Sequence, residues 1–145
     1  NVMTNLVILK TDASYKPDVG SGVSFQSQII EGGRKIDTFS DNRFIRNVEN
    51  STDAELLAVV FGIMEMVKYL DEYGKYEIAI ESDCSYVVDV FDGRNKGKYK
   101  MKKTAMFFLR KFEGWRVRWI PRDINSEADA LAKSALFNSE YYYHD

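Results

Sequence analysis

Apolar and polar residues alternate over the first part of the chain in the manner of β-strands joined by short turns. A short apolar run predicts a strand over residues 5–11, and Pro17 with the glycines that follow it indicates a turn. Two further strands are predicted over residues 23–30 and 34–44, on either side of the Gly32-Gly33 pair. The pattern therefore predicts an antiparallel meander of three strands.

After residue 50 the spacing of the apolar residues changes to that of helices. Leu56, Val59 and Ile63 recur at intervals of three or four within a helix predicted over residues 52–70. The remaining predicted elements, in chain order, are a strand at 76–82, helices at 85–91 and 99–112, a strand at 115–120, a helix at 126–137 and a flexible tail at 138–145. This order predicts an α/β fold in which a mixed sheet is flanked by helices and strands joined through helices run parallel.

Length and composition are those of one globular domain. The 145 residues, of which 45% are hydrophobic and 29% charged, can form a single core, so we expect one domain over residues 1–145. No apolar run approaches the roughly 18 residues of a membrane span, and the first residues lack the basic start of a secretory leader. A lone cysteine, Cys84, excludes an internal disulfide. We therefore expect a cytoplasmic protein in a reducing compartment, and a monomer.

Four acidic residues stand where predicted strands end or predicted helices begin: Asp12, Glu55, Asp83 and Asp129. Each has an ordinary structural interpretation. Thr52 and Glu55 have the spacing of a capping box, and Ser126 and Asp129 have a similar spacing. Asp83 could cap the helix that follows it, and Asp12 could begin a turn.

The four acids together favour a metal site. Adjacent central strands would place Asp12 and Asp83 side by side, and helices packed on the sheet could direct Glu55 and Asp129 to the same place. Carboxylates at such short separations repel one another, and a divalent cation removes that cost. Oxygen ligands suit Mg²⁺ or Mn²⁺ rather than zinc. Two such ions, about 3.5–4 Å apart, would suit the hydrolysis of a phosphodiester without a covalent protein nucleophile.

Basic residues concentrate between positions 94 and 111, although the formal net charge is −2. The candidates for phosphate contacts among them are Lys96, Lys98, Lys100 and Lys103. The run forms either a solvated surface or a phosphate-binding patch for nucleic acid.

Other polar and aromatic residues near the acids have two interpretations each. Ser14 is a turn former or a backbone or phosphate contact, and Asn125 is a helix N-cap, a substrate ligand or both. Trp115 and Trp119 alternate on one face of a predicted strand, so core packing is the expectation for them.

Each acid also stands within a short motif. The segments are Thr-Asp-Ala-Ser at 11–14, Thr-Asp-Ala-Glu-Leu at 52–56, Ile-Glu-Ser-Asp-Cys at 80–84 and Asn-Ser-Glu-Ala-Asp-Ala-Leu-Ala at 125–132. In this order, over about residues 5–137, they resemble the four motifs of the type 1 ribonuclease H family. The resemblance implies the ribonuclease H fold, a five-stranded mixed sheet with its first three strands antiparallel and helices at its sides.

The resemblance also implies an activity: an endonuclease that cuts the RNA strand of RNA–DNA hybrids with two Mg²⁺ or Mn²⁺ ions, leaving 5′-phosphate and 3′-hydroxyl ends. By analogy Asp12 bridges both ions, and Asp129 helps to hold the ion that activates water. Glu55 and Asp83 hold the ion at the leaving group. Glu55 also contacts a ribose 2′-hydroxyl, the group that distinguishes RNA from DNA.

Two departures separate this chain from the best-known family pattern. The loop before the fourth motif lacks the usual histidine and carries Arg122 instead, as in the archaeal and plant-type branch. Arg122 is interpreted either as a residue near the scissile phosphate or as a surface arginine paired with Asp123. The basic insertion that some members carry is too short here, so its lysines predict a weaker hybrid contact with a shallower salt dependence.

Three alternatives stay open. A ribonuclease H-fold nuclease could act on another nucleic acid, such as DNA, branched DNA or double-stranded RNA, because the fold alone does not determine the substrate. The chain could also be a non-catalytic nucleic-acid-binding module, although such domains usually lose one of the acids. A third alternative is a domain of a larger polyprotein or reverse transcriptase.

Overall fold

A computed structural model of the chain describes residues 5–97 and 99–143, with the backbone alone at residues 99 and 140–143. The strands are β1 (Asn5–Lys16), β2 (Gly20–Glu31), β3 (Arg34–Ile45), β4 (Tyr76–Ser82) and β5 (Gly114–Trp119). The helices are α1 (Ser51–Tyr69), α2 (Ser85–Phe91), α3 (Tyr99–Leu109) and α4 (Ser126–Tyr143), and short 3₁₀ turns cover Tyr73–Lys75 and Arg122–Asn125. Within the described residues, no helix combines the length and hydropathy needed to cross a membrane.

The five strands form one mixed sheet in the order β3-β2-β1-β4-β5. β1 pairs antiparallel with β2, and β2 pairs antiparallel with β3. β1 pairs parallel with β4, and β4 pairs parallel with β5, as expected of strands connected through helices. The predicted sheet, with its first three strands antiparallel, is confirmed.

β1 continues five residues beyond its predicted end. Asp12 pairs with Ser24 inside the β1–β2 ladder, which runs without interruption to Lys16 opposite Gly20. The turn comes afterwards, where the Val19 amide donates to the carbonyl of Lys16 at 3.2 Å. The interpretation of Asp12 as the start of a turn is therefore wrong, because the backbone pairing carries the strand past it.

One face of the sheet is covered by α1. Buried apolar residues on this interface are Val7, Leu9, Val23 and Phe25 from the strands and Leu56, Val59, Ile63 and Met66 from α1. Gly62 permits the close approach, since a Cβ atom there would lie 3.1 Å from the side chain of Leu9. This packing fixes the height of α1 above the end of β1.

The opposite face carries α4, which lies directly on the backbone of β2. A Cβ atom on Gly22 would come within 1.9 Å of the carbonyl oxygen of Ala132, so only glycine fits there. The hydroxyl of Ser24 donates to the carbonyl of Ala128, and the amide of Asn42 donates to that of Leu131 at 2.8 Å. These contacts hold the first turns of α4 against the sheet.

α4 also runs further than predicted. Its buried residues Ala128, Ala132, Ala135 and Ser139 recur every three or four positions, so the stripe that packs on the sheet continues past residue 137. The predicted flexible tail is therefore wrong for residues 138–143, which are helical. Residues 144 and 145 lie outside the described residues.

Candidate active site

Two neighbouring parallel strands bring the first pair of acids together. Thr11 of β1 is aligned with Ser82, the last residue of β4, so Asp12 and Asp83 follow at the same edge of the pairing. Asp12 is 4% exposed, and Asp83 is half-buried. The helix that follows Asp83 has its N-cap at Cys84, without a side-chain cap. The predicted capping role of Asp83 is therefore wrong, and its carboxylate is available to the site.

Glu55 reaches the same place from the first turns of α1. The helix N-cap is Asn50, whose side chain accepts a hydrogen bond from the amide of Asp53 at 2.9 Å. This pair has the three-residue spacing expected of a cap, so the predicted box of Thr52 and Glu55 is wrong. Because the cap is completed two residues earlier, the carboxylate of Glu55 is released from capping.

The side chains of Asp12, Glu55 and Asp83 form a compact cluster. One carboxylate oxygen from each lies within 4.8 Å of those from the other two. Oε1 of Glu55 is buried and has no hydrogen-bond partner among the described residues. A buried carboxylate oxygen without a donor is costly unless a cation or a proton satisfies it.

The pKa values of two of these carboxyls are raised, as this cost predicts. Burial, followed by the charge of Asp83, raises the pKa of Asp12 from 3.8 to about 7. Burial, followed by the charge of Asp12, raises the pKa of Glu55 from 4.5 to about 9. A divalent cation would reverse both effects, because it favours the ionised form of each ligand. The oxygen-only donor set fits a hard cation such as Mg²⁺ or Mn²⁺.

Asp129 lies beside this cluster rather than inside it. Its carboxylate pairs with Lys133 at 3.0 Å, one turn further along α4. It is nevertheless close enough to Asp12 for a hydrogen bond between the carboxyls, and both that contact and its charge raise the pKa of Asp12. The structure thus brings three of the predicted acids together and places the fourth at their rim, where release from Lys133 would let it act as a ligand.

Arg122 occupies the 3₁₀ turn before α4 and is exposed. Its positive charge acts on Glu55 and lowers the pKa of that carboxyl, against the larger effect of burial. In the described part of the chain Arg122 forms no ion pair with Asp123, so the interpretation as a paired surface arginine is wrong. An exposed guanidinium next to the acids is well placed to meet a phosphate.

Asn125 ties the strands to the start of α4. Its side chain is 1% exposed, and its Nδ2 donates to the carbonyl of Thr11 at 2.9 Å and reaches Oδ2 of Asp83 at 3.4 Å. Its Oδ1 is also buried and has no hydrogen-bond partner among the described residues, so the predicted contact with substrate stays a prediction. The two contacts of Nδ2 join β1, the end of β4 and the turn before α4, so we expect Asn125 to act as a positioning residue.

Replacement of Asn125 with Ala is expected to destabilise the protein by about 1–3 kcal/mol, because the buried carbonyl of Thr11 loses its donor. Hydrolysis is expected to fall by about 10–100-fold, the usual effect of removing a residue that orients a metal ligand. Urea unfolding and a cleavage assay measure the two effects. Asn138→Ala, on the exposed side of α4, serves as the control and should change neither; equal behaviour of the two variants would contradict the positioning role.

The other described residues that were predicted to contact substrate lie outside the cluster of Asp12, Glu55 and Asp83. Ser14 is half-buried in β1, and its carbonyl accepts from the hydroxyl of Ser21 at 3.0 Å. Lys96, Lys100 and Lys103 are exposed on the connection before α3 and on its first turns, whereas Lys98 lies outside the described residues. Lys100 lines a cleft of about 480 Å³ with Leu57 of α1, the helix that carries Glu55. α3, which carries Lys100 and Lys103, therefore packs beside α1.

The structure also corrects the prediction for the two tryptophans of β5. Trp115 is 37% exposed and Trp119 is 54% exposed, so the predicted core packing is wrong. β5 is an edge strand of the sheet, and none of the described strands pairs with its outward side. The indole N–H of Trp119 donates to the carbonyl of Asp83 at 3.1 Å, which places this side chain next to the cluster. This exposure follows from the position of β5 at the end of the sheet, which the hydrophobic pattern of the strand alone does not show.

Comparison with known families agrees with this geometry. The profile of a family described as reverse transcriptase-like matches residues 31–135, which is well over half of the chain. The chain belongs to the reverse transcriptase-like family. Three of the four acids, Glu55, Asp83 and Asp129, lie within the part that this family profile matches.

Solved structures with the same fold match nearly the whole chain. The ribonuclease H1 of the halophilic archaeon Halobacterium salinarum NRC-1 has 20% identity and a TM-score of 0.74, over 92% of this chain and 98% of that one. The N-terminal ribonuclease H domain of rv2228c from Mycobacterium tuberculosis has 21% identity and a TM-score of 0.79, over 97% and 99%. LC11-RNase H1, solved with an RNA/DNA hybrid, has 19% identity and a TM-score of 0.68, over 92% and 98%.

The fold of the chain confirms its resemblance to type 1 ribonucleases H. Comparison with curated protein sequences gives no significant match.

Proposed function

We propose that the protein is an endonuclease that hydrolyses the RNA strand of RNA–DNA hybrids with divalent cations. The observation that carries the proposal is the cluster of Asp12, Glu55 and Asp83, whose carboxylate oxygens lie within 4.8 Å of one another. No hydrogen bond among the described residues satisfies the buried Oε1 of Glu55. A cation is therefore needed to stabilise the ionised cluster at neutral pH.

The position of each acid indicates its proposed role. Asp12, Glu55 and Asp83 would hold the cation, with Asp129 at the rim available for a second. When bound, Mg²⁺ or Mn²⁺ would supply activation of a water molecule and stabilisation of the departing 3′ oxygen. That chemistry gives 5′-phosphate and 3′-hydroxyl ends.

Other side chains would hold the substrate around the cluster. Arg122, whose charge reaches Glu55, would contact the phosphate that is cut. Glu55 would also accept a hydrogen bond from a ribose 2′-hydroxyl, which favours RNA in the strand that is cut. Ser14, two residues beyond Asp12 in the same strand, is proposed as a further contact.

The hybrid is proposed from two lines of support. LC11-RNase H1, which shares the fold, was solved with an RNA/DNA hybrid. In addition, Lys96, Lys100 and Lys103 are exposed, and α3, which carries the last two, packs beside α1; we propose that these lysines meet phosphates of the second strand. Few such contacts imply a shallow salt dependence of binding, with a slope of about −0.9 for each phosphate neutralised.

A substrate panel tests the proposal. End-labelled RNA–DNA hybrid, single-stranded RNA, double-stranded RNA and double-stranded DNA are incubated with the protein in Mg²⁺ and, separately, in Mn²⁺, and the ends of the products are identified. We expect cleavage only in the RNA strand of the hybrid. Cleavage of another substrate with the hybrid left intact would show a nuclease of different specificity. A folded protein that binds these substrates without cutting any would be a binding module.

A further inference from the structure

Asp129, the acid at the rim of the carboxylate cluster, is paired with a cationic side chain. Its Oδ2 lies 3.0 Å from Nζ of Lys133, one helical turn further along α4. A spacing of four residues places both side chains on one face of the helix, with the acid in the favourable N-terminal position. The side chain of Lys133 is 67% exposed and that of Asp129 is 34% exposed, so the pair lies at the surface and the ammonium can leave the acid at a small cost.

The backbone that carries Asp129 is fixed on the sheet. The carbonyl of Ala128 accepts a hydrogen bond from the hydroxyl of Ser24, and the carbonyl of Leu131 accepts one from the amide of Asn42 at 2.8 Å. Asp129 lies between these two anchored residues, so its carboxylate exchanges partners by rotation of its own side chain. The stem of its lysine partner is long and flexible. A change of partner at Asp129 is therefore a local event that leaves α4 in place.

The same carboxylate also faces the cluster. The charge of Asp129 acts on Asp12, and the two carboxyls are close enough for a hydrogen bond between them. Two positive charges therefore compete for Asp129, namely the ammonium of Lys133 and a second divalent cation beside the cluster. With a single cation bound, Lys133 supplies part of the positive charge that balances the ionised acids, and a second cation would make this contribution unnecessary.

The ammonium and a cation oppose each other strongly at one carboxylate oxygen. Mg²⁺ binds its ligand oxygens at about 2.1 Å, so an ammonium that kept its 3.0 Å contact would lie within about 5 Å of an ion on the same oxygen. At that separation in water, repulsion between a single and a double positive charge lowers the affinity for the ion by about tenfold. Movement of the flexible lysine into solvent reduces the penalty, so we expect an effect of about three- to tenfold.

We propose that Lys133 controls the entry of the second cation: its ammonium holds Asp129 until a divalent cation displaces it, which raises the cation concentration at which Asp129 becomes a ligand. This inference rests on the proposed function, since it concerns the second of the two cations. Lys133 is a positioning residue, because it acts through the carboxylate of Asp129.

An Mg²⁺ titration followed by the ¹³C NMR signal of the Asp129 carboxyl tests the proposal without nucleic acid. Asp129→Asn identifies the signal. Lys133→Met nearly keeps the length of the side chain and removes its charge, so the midpoint of the titration is expected at an Mg²⁺ concentration about three- to tenfold lower than in wild type. Lys133→Arg keeps the charge and should keep the midpoint of wild type within about twofold.

Lys68→Met is the matched control. Lys68 pairs with Glu65 at 2.9 Å, and its side chain is 67% exposed, as is that of Lys133. It follows Glu55 by more than three turns of α1, which corresponds to about 20 Å along the helix axis, a distance over which salt screens its charge. Lys68→Met should therefore keep the midpoint of wild type.

Any of four results would overturn the proposal. They are a midpoint of Lys133→Met that is not below that of wild type, an equal decrease in Lys133→Arg, an equal decrease in Lys68→Met, and an Asp129 signal that does not respond to Mg²⁺ in wild type and Lys133→Met.

Cleavage of the labelled hybrid separates this inference from the proposed function. In Lys133→Met the Mg²⁺ concentration for half-maximal cleavage should fall together with the midpoint of the NMR titration. A lowered midpoint with no cleavage by wild type would refute the proposed function and leave the role of Lys133 standing. Cleavage by wild type with an unchanged midpoint in Lys133→Met would refute the role of Lys133 alone.

Discussion

Replacement of Asp12 with Asn is expected to reduce cleavage of the hybrid by about a thousandfold or more. Asp12 is buried at the junction of β1 and β4, and it is the member of the cluster whose charge most strongly affects Glu55 after burial. Asparagine keeps the shape of the side chain but removes a charged ligand, and the cation it would help to bind contributes several kcal/mol to the transition state. Single-turnover rates of wild type and variant measure the loss.

Asp12→Asn also distinguishes an effect on metal binding from an effect on folding. Without metal, Asp12→Asn should melt at a higher temperature than wild type, because it removes the repulsion that raises the pKa of Glu55. With Mg²⁺ at a hundred times its dissociation constant, wild type should gain about 2.7 kcal/mol and the variant much less. Asp18→Asn, in the exposed β1–β2 turn at a φ of 66° that asparagine tolerates, should behave as wild type. An Mg²⁺ response of Asp12→Asn equal to that of wild type would contradict the metal site.

The metal-free protein is expected to lose stability as the pH rises. Burial and neighbouring charge raise the pKa of Asp12 from 3.8 to about 7 and that of Glu55 from 4.5 to about 9. Between the ordinary and the raised values the folded protein holds protons that the unfolded chain has released. The stability contributed by these protons is complete below about pH 4 and is lost as the pH rises through about 7 and then 9. We expect a loss on the order of 2 kcal/mol or more.

Urea unfolding in a chelator across this pH range measures the effect. The difference between wild type and the double variant Asp12→Asn, Glu55→Gln isolates the two carboxyls, and Asp18→Asn again provides the control. Saturating Mg²⁺ should remove the difference at high pH, because the cation binds the ionised cluster, and its affinity should increase with pH. Without metal, the free energy of unfolding of wild type relative to the double variant should fall with pH. A difference that does not change with pH, or one that grows with pH in favour of wild type, would refute the account of the cluster.

Much of the fold followed from patterns that depend on local physics. The change from alternation to three- and four-residue spacing after residue 50 separates the meander from the helical part, and the sheet order agrees with it. The four acids were found from their positions at the ends of strands and the starts of helices. Adjacency of Asp12 and Asp83 then followed from parallel pairing of β1 with β4.

The errors arose where tertiary contacts decide between local alternatives. Thr52 and Asn50 could both cap α1, and only the structure shows that Asn50 does so and releases Glu55. The burial of Asn125 likewise depends on the packing of three elements, which no local pattern contains, and its predicted contact with substrate stays a prediction. Exposure of Trp119 depends on β5 being an edge strand. The monomeric state, the cytoplasmic location and the archaeal or plant-type branch stay predictions.

Cleavage of a single labelled RNA–DNA hybrid in Mn²⁺, by wild type and by Glu55→Gln, tests the central claim most directly. Within the cluster Glu55 contributes a buried carboxylate oxygen that has no hydrogen-bond partner in the described part of the protein, so its loss should remove cation-dependent hydrolysis while the fold is retained. We predict that wild type cuts the RNA strand and that the variant, folded by circular dichroism, leaves it intact. An uncut hybrid with folded wild-type protein, or equal rates for the two proteins, would contradict the proposal that this cluster is the active site of a hybrid-specific nuclease.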